Sequence, residues 1–310
     1  MRAVDIRHHQ HHLPVHWIKP GQIYSGNLER RLHSEILDFV EFMEATKEEL
    51  ASRAKVVERF QSAIQKVTPK ATLGVFGSFA TGLVLAHSDI DLVILDQSKS
   101  TVSQPRAPAT ELKKYRNKIA EQCSGFCPIL KAKVPIFNCR DYLTGFKLDI
   151  SFNQANGIAT VPVIQGLMTE LPALRPLVMV LKQFLHCRGL DVGANGSVGG
   201  YGLTCWVAGF LRIHPDVFAS RYKAVPLGIL LTDFLLLFGF SFDYLKLGLA
   251  PGDSGGSWIF SKREGLGFEQ GRPSEKLYIR DPQNEHSNVT ASLAKIGVVT
   301  EHLAAAYDQL

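Results

Sequence analysis

Nowhere in this chain do two cysteines stand three positions apart. The five present, Cys123, Cys127, Cys139, Cys187 and Cys205, are an odd number. Zinc knuckles need paired Cys-x-x-Cys units and disulfide frameworks an even, closely spaced set, so neither is expected and a reducing compartment fits. Long apolar runs are also missing. The greasiest stretch, Val225 to Phe240, is interrupted by Asp233 and is too short to cross a bilayer, so it reads as a core helix and no membrane partner is expected. The N-terminus has no apolar segment of the secretory kind. It passes through Arg2, Asp5 and Arg7 into His8, His9, His11 and His12, which could take up stray metal but read as a disordered, tag-like tail. Neither sign of charge dominates: 34 Lys and Arg stand against 29 Asp and Glu, a net +5 that permits an acidic partner without demanding one. With 310 residues, 45% of them hydrophobic and 20% charged, the chain has the composition of a soluble globular protein long enough for two domains.

Against this plain background three carboxylates stand out. Thr72 to Phe76 reads as a buried strand and leads into Gly77-Ser78. Soon after, Ser88-Asp89-Ile90-Asp91 opens the apolar run Leu92 to Leu95. Residues two apart in a strand face the same way, so Asp89 and Asp91 would place two negative groups side by side, which is costly without a cation. Asp149, in Lys147-Leu148-Asp149-Ile150-Ser151, sits in a similar strand-like run. Three carboxylates form a hard oxygen site of the kind Mg²⁺ shares with substrate phosphates, which points to phosphoryl or nucleotidyl transfer. Gly77 would let backbone approach a phosphate, and the Ser78 hydroxyl would donate to the same anion. An isolated Gly-Ser turn or Asp-x-Asp pair is common; the strand–turn–strand order carries the catalytic reading.

Along the chain, residues 1–30 are irregular, with Pro14, Pro20 and Gly21. Leu32, Ile36, Leu37, Val40 and Met43 recur at helical spacing within a helix expected over 31–46. Leu50, Ala54, Val57, Phe60, Ile64 and Val67 do the same in a second helix, started by a Thr46/Glu49 capping box. A catalytic domain is expected over 47–160, with strands near 72–76, 89–95, 134–138 and 145–152, a basic helix near 110–122, and a loop from Asp96 to Pro108. From Val161 the pattern turns helical, with runs at Pro176–Cys187, Gly202–Ile213 and Leu227–Phe240. An irregular glycine-rich stretch (248–272), a short strand at Leu277–Ile279 and a closing helix from Ile296 to Leu310 complete a second domain over 161–310. Between Lys99 and Lys147 ten cationic residues face three acidic ones. That bias is either a nucleic-acid path or a solvated helix face.

These residues carry a family likeness. Gly77-Ser78-Phe79-Ala80-Thr81-Gly82-Leu83 with Ser88-Asp89-Ile90-Asp91, Leu148 to Asn153, Leu181 to Leu190, and Ile279 to Asn284 together resemble the Trf-type noncanonical poly(A) polymerases of the DNA polymerase β-like nucleotidyltransferase superfamily. The resemblance implies an α+β fold, with a mixed-sheet catalytic domain and a mostly helical central domain facing each other across a cleft. It implies template-independent addition of AMP from ATP to RNA 3′ ends, with Mg²⁺ or Mn²⁺ held by Asp89, Asp91 and Asp149, and a nucleotide-recognition segment near 279–290. Gly77, Ser78, Asn156, Lys182, His186, Gly200, Tyr201, Asp281, Asn284 and Ser287 would contact the nucleotide: Lys182 and His186 its triphosphate, Asn156 its ribose and Tyr201 its base. Asn156-Gly157 is equally an ordinary turn, and Tyr201 by itself equally a core residue. Relatives often carry a lysine at the place of His186. Uridylyl-adding relatives carry a histidine at the place of Ser287, so adenine is the expected base, although His286 is one position away. The arginine usual after the Asn-Val pair is missing from Asn288 to Ser292. The resemblance further implies a nuclear or nucleolar location, a role in RNA surveillance, and a zinc-knuckle RNA-binding protein and an RNA helicase as partners, as in TRAMP complexes. A terminal uridylyltransferase and a catalytically silent RNA-binding scaffold are the alternatives.

Overall fold

The computed structural model describes residues 16–96, 107–131, 134–219, 225–252, 257–262, 268–269 and 272–310. His8, His9, His11 and His12 lie outside these residues, as do Lys99, Arg106, Lys133, most of the loop expected after Asp96, and parts of the glycine-rich stretch.

Helix α1 spans Leu28–Met43 and α2 spans Lys47–Gln65. The break between them is set by the expected capping box: Thr46 Oγ1 accepts from Glu49 N–H at 3.1 Å while Glu49 Oε2 accepts from Thr46 N–H at 2.8 Å. The buried face of α2 is rotated from the one the spacing predicts. Arg53, Val56, Phe60, Ala63 and Ile64 point inward, whereas Leu50 and Ala54 are exposed.

Five strands form one mixed sheet: β1 (Thr72–Phe76), β2 (Ile90–Leu95), β3 (Cys123–Ile129), β4 (Ile136–Asp141) and β5 (Lys147–Phe152). Their order is β1-β2-β5-β4-β3; β2 and β5 run parallel and every other pair antiparallel. A one-turn helix, α3 (Gly77–Thr81), follows β1. The basic helix expected over 110–122 is two pieces, α4 (Ala107–Lys114) and α5 (Arg116–Ala120), because Tyr115 turns inward to the sheet core and its hydroxyl reaches Thr68 Oγ1 at 3.0 Å. Lys114 pairs with Glu111 and Lys118 with Glu121, so these cations belong to a solvated, locally paired face. Strand β4 lies two to three residues later than the expected 134–138, and the edge strand β3 was not expected.

Helix α6 (Asn156–Glu170) leaves the sheet and runs through residue 160 into the helical half: α7 (Leu174–His186), α8 (Gly200–Ile213), α9 (Pro215–Ala219), α10 (Leu227–Leu236) with a π-helical turn at Leu237–Ser241, and α11 (Ile296–Tyr307). Trp206 of α8 packs against Phe234 and Phe238 at the centre of this core. Helix α1 joins the same core through Ile36 and Val40. Among the described residues no single helix is long and apolar enough to cross a membrane. Short strand pairs fill the connection between α10 and α11: β6 (Leu247–Leu249) with β7 (Ile259–Ser261), β8 (Phe268–Glu269) with β9 (Arg272–Pro273), and β10 (Arg280–Asp281) with β11 (Asn284–Asn288). The strand expected at Leu277–Ile279 is a single bridge from Ile279 to Leu249, and the β10–β11 hairpin beside it is new.

Candidate active site

Asp91 on β2 and Asp149 on β5 are register partners in the parallel pair, so the sheet sets the two carboxylates abreast on one face. Asp89, two residues before Asp91, joins them from the residue just ahead of β2. The three perturb one another: burial, then Asp149 and Asp89, pushes the Asp91 carboxyl up to about 7. Burial likewise raises Asp89 and Asp149. Opposing this, Asn138 of β4, the register partner of Asp149 on its other side, donates from Nδ2 to Asp149 Oδ1 at 2.7 Å, which favours the ionised form and fixes the carboxylate's orientation.

The turn after β1 is shaped by one of these carboxylates, Asp91. Gly77 has φ +65°, and a Cβ built on it would stand 1.9 Å from Asp91 Oδ2. Glycine is therefore required by the carboxylate behind it as well as by the backbone conformation. These donors fit a cation of the Mg²⁺ or Mn²⁺ class: three oxygen-only groups that penalise one another's charge, grouped where no other side chain could fit at position 77.

Arg53 was missed by sequence reasoning. It is buried, donates from Nη1 to Ser88 O at 2.9 Å and from Nη2 to Ala86 O at 3.4 Å and Leu85 O at 3.5 Å, and lies 4.4 Å from the Phe146 ring centroid. It thus braces three of the four carbonyls that precede Asp89, those of Leu85, Ala86 and Ser88. Arg53→Met should leave these acceptors without a partner and cost at least about 2 kcal/mol of stability in urea unfolding; a loss indistinguishable from zero would show that water replaces the guanidinium.

On the helical side, Lys182 Nζ of α7 donates to Ser88 Oγ at 2.9 Å and Leu83 O at 3.2 Å, and burial pushes its ammonium down to about 8 against the pull of Asp91 and Asp89. His186, one turn on, bonds through Nδ1 to Asp191 Oδ2 at 2.7 Å and stacks on His87 with centroids 3.7 Å apart and planes 14° from parallel. Ligand atoms of His87, His186 and Asp191 come within 4.8 Å of one another. Face-to-face rings, however, point their in-plane lone pairs side by side rather than at one centre, so the trio is a polar stack and not a chelate.

Tyr201, beside Gly200 at the start of α8, donates from its hydroxyl to Asp281 Oδ1 at 2.8 Å, and the Gln283 N–H bonds the same oxygen at 2.9 Å. The ring is only part-buried, so Tyr201 joins helix to hairpin with a face left at the surface of the core. Asn156 is exposed as the first residue of α6 rather than part of a free turn: a Cβ at Gly157 would lie 2.6 Å from Phe76, so this glycine lets the helix close on β1. Asn284 Oδ1 bonds within its own strand, to His286 N–H at 3.2 Å. Ser287 and His286 are neighbours in β11 and so face opposite ways. Where the usual arginine is missing, the buried Thr290 Oγ1 lies 2.7 Å from Leu277 O and 2.8 Å from Asn288 Oδ1, so its single O–H is shared between these acceptors and pins the hairpin's base.

Two family descriptions match: "Poly(A) RNA polymerase, mitochondrial-like, central palm domain" over residues 32–166 and "Cid1 family poly A polymerase" over 226–287. The Drosophila melanogaster protein Trf4-2, described as an inactive noncanonical poly(A) RNA polymerase, is 30% identical over 303 residues, which are 95% of this chain and 72% of Trf4-2. The chain belongs to the Trf-type noncanonical poly(A) polymerases. Poly(A) RNA polymerase protein 1 of Eremothecium gossypii is 34% identical to this Trf-type chain over 279 residues, 89% of the chain but 44% of that protein. The chain spans less than half the length of several such curated relatives. A solved structure of the polymerase core of TRAMP, an RNA surveillance complex, matches it with a TM-score of 0.83 at 29% identity, covering 95% of this chain and 91% of that one. The Trf-type chain therefore has the α+β nucleotidyltransferase fold.

Proposed function

We propose that the chain is the polymerase core of a template-independent RNA 3′-terminal adenylyltransferase that transfers AMP from ATP. The observation that carries this reading is the register pairing of Asp91 with Asp149, with Asp89 close enough to act on both and Gly77 giving Asp91 room. Asp89, Asp91 and Asp149 would hold Mg²⁺, which when bound supplies charge neutralisation at the phosphates and lowers the pKa of a coordinated hydroxyl. The 3′-oxygen of RNA attacks the α-phosphorus of ATP. As the new P–O bond forms, the bond to the oxygen bridging the α and β phosphates breaks and pyrophosphate leaves. Asp149, whose carboxyl burial raises against the pull of the Asn138 hydrogen bond, would receive the hydroxyl proton.

Lys182 and His186 face the triphosphate in this reading, Asn156 its ribose and Tyr201 its base, with Asp281 holding the Tyr201 hydroxyl. RNA as the acceptor is favoured by Arg140 and Lys147. These exposed cations are opposed across β4 and β5 beside Asp89, a costly like-charge arrangement that a polyanion relieves. The wider role we infer is nuclear RNA surveillance, with a zinc-knuckle RNA-binding protein and a helicase delivering substrate.

Because one relative is described as inactive, the test must separate an enzyme from a silent scaffold. Purified chain with an RNA oligonucleotide, Mg²⁺ and one nucleotide at a time is expected to extend RNA with ATP in preference to UTP, GTP or CTP, and Asp89→Ala to extend none. Preference for UTP would make it a uridylyltransferase. Extension by Asp89→Ala would overturn the metal assignment, and RNA binding without any extension would favour the scaffold.

A further inference from the structure

The face of α6 that begins at Asn156 continues into a second site. Asn156, Val163 and Glu170 are seven residues apart, close to two turns each, so they share a stripe, and Val163 lies about 10 Å along the axis from Asn156. The stripe enters a cavity of about 490 Å³ walled by Val163, Gly166 and Glu170 of α6, Arg212 of α8, Trp258 and Pro282. Pro282 directly follows Asp281, the residue bonded to Tyr201, so this cavity adjoins the proposed nucleotide site.

Trp258 is the aromatic residue among these walls. The Arg212 guanidinium lies 5.5 Å from the Trp258 ring centroid, and Phe218, 62% exposed, meets the same ring edge-on at 5.9 Å. An aromatic face beside a guanidinium is what unpaired nucleobases stack on, and such stacking accepts any base. Arg212 is paired with Glu170, so local charge is balanced and the cavity suits a base better than a phosphate. Gly166 adds a second, independent observation. It lies inside α6, where glycine costs about 1 kcal/mol relative to alanine, yet a Cβ there would meet nothing within 4 Å. No close neighbour requires this glycine; what its missing side chain leaves is open cavity.

The geometry points to a stacking subsite for single-stranded RNA, in which Trp258 receives a base just upstream of the 3′-terminal nucleotide. The inference rests on the RNA-extending reading above. With the full chain, affinity for a fluorescent single-stranded RNA oligonucleotide is measured by anisotropy without ATP, and the KM for ATP is measured separately. Trp258→Ala is expected to weaken RNA binding about tenfold, with Trp258→Phe keeping most of it. Gly166→Leu, which fills the cavity from a helix that gains propensity, should weaken RNA binding similarly without lowering the melting temperature. The KM for ATP should stay unchanged in all three. RNA affinity equal to wild type in Gly166→Leu and Trp258→Ala overturns the inference and leaves the cavity to another occupant, such as a protein segment; an equal rise in the KM for ATP overturns it too. If wild type binds RNA but adds no nucleotide, the polymerase reading fails while the subsite is still decided by the binding data.

Discussion

Gly77→Ala is expected to reduce RNA extension on the order of 10²-fold or more, since misplacing a reacting group by about 1 Å can cost that much. The new methyl would fall 1.9 Å from Asp91 Oδ2 and 2.7 Å from its Cγ, so the carboxylate must swing away from Asp149 and Asp89. A second glycine separates this displacement from backbone strain. Gly82 caps α3 with φ +80°, close to the +65° of Gly77, but a Cβ on it meets nothing within 4 Å. Gly82→Ala should therefore carry only the left-handed penalty, about 1–2 kcal/mol of stability, and keep its activity. Extension rates and urea unfolding of both variants check this; equal loss of activity in the two would show that strain in the turn, and not the position of Asp91, is what matters.

The other large effect runs in opposite directions for activity and stability. Asp91→Asn removes one of the three charges proposed to hold the cation and is expected to cost several kcal/mol of transition-state stabilisation, roughly 10³-fold or more in rate. In metal-free buffer the same change should stabilise the fold. The native carboxyl, raised to about 7, keeps its proton to near neutrality, whereas the unfolded chain releases it near pH 4. Protons are thus bound preferentially by the folded state across that interval. Stability of the metal-free protein falls as pH rises from about 4 to about 7 and levels off above, by up to about 4 kcal/mol from this group. Mg²⁺ should restore what is lost, because only the folded chain assembles the three carboxylates. Melting curves of wild type and Asp91→Asn at pH 5 and pH 8, with and without Mg²⁺, test all of this. An Asn variant that melts below wild type at pH 8 without metal would overturn the account.

The carboxylates were legible because they interrupt apolar strands, where a charge has no structural use. Gly77 was legible too, though for only half its reason: the contact with Asp91 requires knowing that β1 and β2 pair antiparallel with Phe76 opposite Asp91. Strand β3 was not legible. Its sequence, Cys123-Ser124-Gly125-Phe126-Cys127-Pro128-Ile129, contains both Gly and Pro, breaks register between Ser124 and Cys127, and is tolerated because it lies at the sheet's edge. Arg53 stayed hidden because the apolar stripe of α2 was phased on Leu50 and Ala54. With the phase set by Val56, Phe60 and Ala63, a buried arginine falls on the stripe and asks for an explanation. The β10–β11 hairpin is polar throughout, and its place is set by long-range bonds from Tyr201 and Thr290 that no local pattern reveals.

Lys182 has a last consequence. An ammonium carries three N–H bonds, and two of them already join α7 to the strand-side segment from Leu83 to Ser88. A polyphosphate arriving between the two halves would meet a positive charge that folding has moored to both shores. Most of the freedom a long, flexible side chain loses on gripping an anion is then given up before the nucleotide arrives, and recognition starts from a rigid gauge rather than a searching arm.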